Sequence, residues 1–395
     1  MTTSFLGTFP RLACIVLALG LGACSSDGAS QTIPKGGSGG KASAGTGGGG
    51  GKSGGAGTGS GGMSAGESGA AGEGGGFEAA DLPWLHTEGN KLKDANGNDV
   101  VLRGVAMIDM PATEAWEGGI KAMIDRLTDP GDAQGSSPGW ATRVLRFAIT
   151  PEGTEQGSPV RYVPGIDYYE RFLRPGVDHA KTKGVYVIID WHYIDTTTLH
   201  QDSTAEFWQD IAPRFKDDSN VLFELYNEPT NGGSWATVKP DMQAWYDIVR
   251  EGAPDNIVLV GTPQWCQLPN TAASDPIEGD NIMYVAHMYP QHWMNPSFRD
   301  QITQAASKVP LFISEWGFQE RMNDPLLNGT ITSYGAPFKQ FIDDLDVSWT
   351  AWCASATWGP PMFHPNYTLR VGEGEMGGFA KDWLYEHKDA DQPVP

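Results

Sequence analysis

The stretch VYVIIDWH, residues 185–192, decides the fold. It opens on five β-branched or aromatic residues in a row and closes on Asp190, Trp191 and His192. A run this short, apolar on both faces, reads as a strand of a parallel sheet covered on both sides. Seven further runs share its character: VVLRGVAM (100–107), VLRFAIT (144–150), VLFELYNE (221–228), IVLVGTP (257–263), IMYVAHMY (282–289), PLFISEW (310–316) and WTAWCAS (349–355). Amphipathic helical patterns fall between them at 167–183, 205–216, 241–251, 297–308, 337–345 and 379–387. Strands alternating with helices over this length predict an α/β fold, a (β/α)₈ TIM barrel. The competing open doubly wound sheet would carry a Gly-rich phosphate turn after an early strand, and the sequence has none. Ahead of the barrel, Asn96-Gly97 between short apolar stretches predicts an N-terminal hairpin. The surrounding DANGND (94–99) is no calcium loop, since its Gly stands fourth rather than sixth.

Polar residues gather at the C-terminal ends of the predicted strands. Arg146 interrupts the second, His192 ends the third, and Asn227 and Glu228 end the fourth. His287 and Tyr289 close the sixth, Glu315 the seventh, and Trp352 lies in the eighth. A charge within an apolar strand is costly unless paired. The C-terminal rim is where barrels of this kind hold their active sites.

The N-terminus reads as an export segment. Arg11 precedes an apolar run at 12–21, too short for a bilayer span of about 20 residues. The run ends in LGAC (21–24), which resembles the bacterial lipoprotein signal. That resemblance implies cleavage after residue 23 and lipidation of Cys24, with Ser25 compatible with sorting to the outer membrane. Acyl chains at about 0.8 kcal/mol per buried CH₂ would then anchor the chain to the bacterial outer membrane or cell surface. Residues 24–80 are a linker: about half of 36–76 is Gly, without apolar periodicity to offset chain entropy. A coil of about 50 residues reaches roughly 40 Å. The catalytic body is expected over 81–395.

Net charge is −21, from 27 Lys and Arg against 48 Asp and Glu. Residues 1–80 hold four basic and four acidic residues, so the acidity belongs to the body. Nucleic acid and anionic polysaccharides are disfavoured partners, and a neutral substrate is not. Export permits a disulfide, and Cys266 and Cys353 sit in no metal-ligand spacing.

Glu228 and Glu315 stand out as a pair of carboxyls delivered by two different strands. Retaining glycoside hydrolysis needs two such groups about 5–5.5 Å apart, one protonated to release the leaving oxygen and one ionised to attack carbon. At this point the sequence resembles glycoside hydrolase family 5, which includes many bacterial cellulases. The resemblance runs over nearly all of residues 86–388. It rests on VIIDWHYI (187–194), FELYNEP (223–229), IMYVAHMY (282–289), PLFISEWG (310–317) and GTPQWCQ (261–267). It implies Glu228 as acid/base, Glu315 as nucleophile supported by Arg146 and Tyr289, and Asn227 on the sugar 2-hydroxyl. It further implies His192 and His287 around the central subsite and Trp352 as a sugar platform. Trp265 and Trp358 are candidate substrate-binding rings; with Trp191, Trp293 and Trp316 they stand near strand ends, where a flat ring can stack on a sugar or pack between barrel and helices. Two departures bear on the sugars bound away from the cleavage point. No His follows the first strand in GVAMID (104–109), and no Lys follows Trp352 in TWGPPM (357–362).

The expected protein is a monomeric retaining endo-β-1,4-glucanase acting on a neutral β-linked polysaccharide or oligosaccharide, without cofactor or metal. A β-mannanase or an exo-acting β-glucanase with the same chemistry is the alternative, and a non-catalytic carbohydrate-binding surface protein the third.

Overall fold

The computed structural model describes residues 82–131, 139–151 and 158–394. The export segment, Cys24 and the Gly-rich linker lie outside the described residues. Among those described, no helix is long and apolar enough to cross a membrane.

Eight parallel strands close into a barrel in sequence order: β1 (Arg103–Met107), β2 (Val144–Ile149), β3 (Tyr186–Trp191), β4 (Val221–Glu224), β5 (Val258–Val260), β6 (Ile282–Met288), β7 (Leu311–Trp316) and β8 (Ser348–Ala354). Pairing of β4 with β5 and of β8 with β1 completes the ring, so the predicted (β/α)₈ barrel is the observed one. Around it run α1 (Met110–Trp116), α2 (Ile120–Leu127), α3 (Arg174–Thr182), α4 (Gln201–Ile211), α5 (Trp235–Gly252), α6 (Pro269–Ser274), α7 (Pro296–Ala306), α8 (Ala336–Leu345) and α9 (Met376–Glu386). The sequence pattern did not show α1 and α2, because each spans about two turns and the Gly118-Gly119 pair separates them.

Strand alternation divides the core in two. Leu145, Val187, Phe223 and Tyr284 pack with helix residues such as Phe207, Val238 and Ile302. Their neighbours Val144, Ile188, Leu222, Met283 and Phe312 form a second cluster with Leu82, Leu85, Leu92 and Val100. Those last four come from the segment before the barrel, which forms three short antiparallel strands, His86–Glu88, Lys91–Lys93 and Asp99–Val100, rather than a single hairpin. The Asn96-Gly97 turn joins the second to the third: Gly97 has φ +81° and its N–H donates to Asp94 O at 3.0 Å. Because Asp99–Val100 belongs to this sheet, the first barrel strand begins at Arg103 rather than at residue 100. Gly104 lets β1 and β2 approach closely, since a Cβ there would stand 1.7 Å from the Val144 carbonyl oxygen.

Candidate active site

Above the apolar interior the same inward positions turn polar. Arg146 on β2, Asp190 on β3, Glu224 on β4, His287 on β6 and Ser314 on β7 are all buried. Arg146 is fully enclosed and is the hub. Its Nε and Nη2 donate to the two oxygens of Glu224 at 2.7 and 3.1 Å. Nη1 donates to Glu315 Oε1 at 2.9 Å, and Nη2 also reaches Asn227 Oδ1 at 2.6 Å and Asp190 Oδ2 at 3.0 Å. Burial works against the guanidinium's charge, but Asp190, Glu224 and Glu315 outweigh it and hold the group protonated.

Glu315 accepts at both oxygens, from Arg146 on Oε1 and from the Tyr289 hydroxyl on Oε2 at 2.7 Å. Its placement depends on a bulge. Ala286 faces Ile313 but His287 faces Glu315, so β7 carries one extra residue, Ser314, at this level. A bulge bends the strand and re-aims its side chains. Here it sets His287 beside Glu315, with Nδ1 3.6 Å from Oε2.

Glu228 lies beyond the end of β4, so the predicted strand 221–228 stops four residues early. Glu228–Pro229 instead pairs with Ile194–Asp195 in a two-stranded parallel ladder outside the barrel sheet. Glu228 Oε1 is 2.7 Å from His287 Nδ1. Burial pushes its carboxyl up to about 7, against the pull of Arg146. An oxygen of Glu228, one of Glu315 and a ring nitrogen of His287 lie within 4.8 Å of one another. That spacing would also let the three share a cation, but Arg146 and Tyr289 already donate to both oxygens of Glu315, and the Arg146 guanidinium places a positive charge there.

His192 is held by Asp190, Nδ1 to Oδ2 at 2.6 Å, and stacks under Trp352 with ring centroids 5.1 Å apart and planes within 8°. Burial, reinforced by Arg146, lowers its pKa to about 4, so it is neutral at ordinary pH. Asp190 moves the other way, to about 7, because burial exceeds the help from Arg146. Asn227 spends its carbonyl on Arg146, and its buried Nδ2 has no partner among the described residues. An amide held by one end and unsatisfied at the other is poised to donate to a ligand.

The sequence reading named Arg146, His192, Asn227, Glu228, His287, Tyr289, Glu315 and Trp352, and the structure brings them into one connected set. Trp358 is half-buried with its ring 6.3 Å from Trp352. Trp265 is half-buried on a left-handed turn, where Gln264, Trp265 and Cys266 have φ of 57°, 55° and 56°. Cys266 donates its thiol to Asn227 O at 3.1 Å, tying that turn to the site. Of the tryptophans near strand ends, Trp191 and Trp316 are core residues. Trp191 stacks on Phe207 at 3.9 Å and donates to Thr204, while Trp316 is fully buried against Trp349 and Trp383. Each occupies an outward position of its strand, so its ring faces the helices. Trp293 packs between Arg299 and Phe341. Cys266 and Cys353 are both buried and free, on β5's following turn and on β8, and form no disulfide.

Asp190, Glu224, Ser314, Asp109 and Glu117 were missed. Acidic letters inside VYVIIDWH and VLFELYNE carried the same signal that singled out Arg146. Asp109, at one of the two departures noted above, caps α1 through Ala112 N–H at 3.0 Å. It also accepts from the Thr150 N–H and hydroxyl at 3.0 and 2.5 Å, binding the end of β1 to the end of β2. Glu117 is buried and accepts from the hydroxyls of Ser355 and Thr357 at 2.5 and 2.9 Å and from Ala356 N–H at 3.2 Å. It thereby fixes the loop that carries Trp358.

A closed parallel barrel with two carboxyls facing each other at its C-terminal rim, one against an Arg and a Tyr and the other against a His, defines a glycosidase-type site. The chain belongs to the cellulase family, glycosyl hydrolase family 5, whose family model matches residues 94–357. An endoglucanase of Clostridium saccharobutylicum is 28% identical over 301 residues, which cover 75% of this chain and 61% of that protein. Endoglucanase E-5 of Thermobifida fusca is 28% identical over 280 residues, covering 67% of this chain and 54% of its own length. The chain thus spans less than two thirds of either relative. Among solved structures, a β-glucanase of Saccharophagus degradans has the same fold, with a TM-score of 0.67 at 24% identity over 80% of this chain and 98% of that one.

Proposed function

We propose that the protein is a retaining endo-β-1,4-glucanase, with Glu228 as acid/base and Glu315 as nucleophile. The observation that carries the reading is the spacing of the two carboxyls in opposite environments. Their nearest oxygens are within 4.8 Å, close to the retaining separation and short of the roughly 6.5–9.5 Å that leaves room for a water between them. Burial keeps a proton on Glu228 up to about pH 7, while Glu315 receives two donors and offers its lone pairs to carbon. Glu228 protonates the departing oxygen as Glu315 attacks from the opposite face. Water, deprotonated by Glu228, then displaces Glu315, and two inversions leave the β-anomer. Asn227 Nδ2 supplies a donor beside the attacked carbon, and Trp352, Trp265 and Trp358 supply stacking faces. The relatives named above are endoglucanases, and the Saccharophagus β-glucanase has been solved with cellotetraose. Proton NMR of the first product tests the reading: β-anomer is expected, and α-anomer would overturn it. Glu228→Ala should retain activity on an aryl glycoside whose leaving group needs no proton, and equal loss on polymer and aryl substrate would count against Glu228 as the acid.

The same reading includes a monomeric enzyme exported and held by lipid at Cys24, on the strength of the LGAC run and the linker behind it. Cys24→Ser should move the protein from the membrane to the soluble fraction, and unchanged fractionation would refute the anchor.

A further inference from the structure

The two facing carboxyls are held in place by different means. Glu315 lies within barrel strand β7 and receives donors at both oxygens. Glu228 lies outside the barrel sheet, because β4 ends at Glu224. Its backbone is placed instead by the ladder against the segment that follows β3. The N–H groups of Asn227, Glu228 and Thr230 donate to the carbonyls of Trp191, Tyr193 and Asp195 at 3.0, 2.9 and 3.0 Å. Backbone does not make the next rung, since Gly232 and Gly233 take φ of +47° and +78° and turn the chain toward α5. The Asn231 side chain makes it. Its Oδ1 accepts from Thr197 N–H at 2.9 Å, and its Nδ2 donates to Thr197 Oγ1 at 3.1 Å. The hydroxyls of Thr196 and Thr230 add a bond of 3.1 Å beside this clamp. Asn231 and Thr197 are both buried, and an amide satisfied at its two ends by one residue is fixed in orientation.

We propose that Asn231, clamped on Thr197, is a positioning residue for the acid step: it closes the ladder on which Glu228 stands and so holds that carboxyl at the leaving oxygen. The proposal rests on Glu228 being the acid/base. A two-stranded pair is marginal by itself, and the clamp sits at the end where this one would fray. An acid must stand within hydrogen-bond reach of the oxygen it protonates, and a displacement of about 1 Å costs on the order of a hundredfold in rate. Loosening the ladder therefore falls on proton transfer. Glu315 keeps the place that β7 gives it. Asn227, on the same ladder, is held separately by Arg146 and by the Cys266 thiol. The loss then depends on the leaving group. As the Glu315 carboxylate attacks, the bond from the anomeric carbon to the leaving oxygen breaks and the Glu228 proton moves to that oxygen. A sugar needs this proton to depart, whereas a dinitrophenolate departs as the anion. In the second step Glu228 takes a proton from water whichever group has left, so a displaced Glu228 slows release of the glycosyl-enzyme from both substrates.

The test compares kcat/KM on cellotetraose with kcat/KM on dinitrophenyl β-cellobioside, using the full chain. In Asn231→Ala the first should fall about tenfold to a hundredfold and the second by less than about threefold. On the aryl substrate kcat and KM should fall together, because the glycosyl-enzyme accumulates. Thr197→Val removes the hydroxyl and leaves the N–H bond, so it should show the same selectivity with a smaller loss. Thr197→Ser puts the hydroxyl back and should recover the cellotetraose rate. A clamp that only supports the fold would lower both reactions alike. Equal loss on the two substrates, or no loss on either, would therefore overturn the proposal, and if Asn231→Ala does not fold, the same comparison in Thr197→Val decides. Glu228→Ala separates the two questions. If it loses both substrates equally, Glu228 is not the acid and the functional reading fails with the clamp; if it shows a selectivity that Asn231→Ala lacks, the clamp alone fails.

Discussion

Replacing Glu228 by Gln should make the protein more stable at alkaline pH while abolishing turnover of polymer. In the folded state burial lifts the Glu228 carboxyl from 4.5 to about 7. As pH rises through 4.5 the unfolded chain releases this proton and the folded chain does not, so the unfolded state is increasingly favoured. The loss of stability grows until the folded carboxyl also ionises near pH 7 and is constant above that. At about 1.4 kcal/mol per pH unit the gap corresponds to about 3 kcal/mol. Gln has the same shape, carries no proton to lose, and can still donate an N–H to His287 Nδ1. Wild-type and Glu228→Gln proteins should therefore unfold in urea with similar free energies at pH 4, the variant becoming more stable by up to about 3 kcal/mol at pH 8. Asp190 and Glu224 are common to both proteins and cancel in the difference. A stability difference that stays flat from pH 4 to 8, or a variant less stable at pH 8, would refute the claim that burial stores a proton on Glu228.

Arg146→Met leaves Asp190, Glu224 and Glu315 buried without their cation, and urea unfolding at pH 7 should show a loss of about 3–5 kcal/mol that shrinks toward pH 4 as the carboxyls are protonated. Gly104→Ala forces a methyl group to within 1.7 Å of the Val144 carbonyl oxygen, so β1 and β2 must part, with an expected loss of about 3 kcal/mol by the same assay. Glu117→Ala removes the acceptor for Ser355, Ala356 and Thr357 and frees the loop under Trp358; KM on long glucans should rise about threefold to tenfold with kcat little changed. Trp191→Phe should lower stability by about 1–2 kcal/mol and leave KM alone, whereas Trp265→Ala should raise KM without unfolding the protein.

The barrel was legible because strands buried on both faces show no alternation, and VYVIIDWH and its seven counterparts read as continuous apolar runs. What the sequence hid was which face each residue takes. A one-residue step moves a side chain from interior to helix layer, and this separates the two letters of Asp190-Trp191: the Asp enters the site and the Trp enters the core. Ser314 was invisible for a related reason. Its neighbour Glu315 faces the cleft, and only the bulge opposite Ala286 and His287 lets two consecutive residues of β7 serve the same site. Helices α1 and α2 escaped because two turns cannot establish a period of 3.6 residues. Glu117 escaped because its donors lie some 240 residues away on the far side of the ring closure.

The charge balance of the interior explains why so many of these groups must act together. One guanidinium, Arg146, faces Asp190, Glu224 and Glu315 directly, and Glu228 stands one imidazole away. Four carboxyls cannot all ionise around a single cation in a buried site, so protons must remain on some of them. The two histidines cannot supply positive charge, since burial holds both neutral. The surplus protons are therefore a property of the cluster, and burial raises both Asp190 and Glu228 to about 7. Glu315 receives donors at both oxygens, from Arg146 and Tyr289. Glu228 has the His287 ring nitrogen at 2.7 Å and no guanidinium on it, so burial keeps its proton. The arrangement turns an electrostatic excess, which lowers stability, into protons held in the site, one of them at the carboxyl that has to give it away.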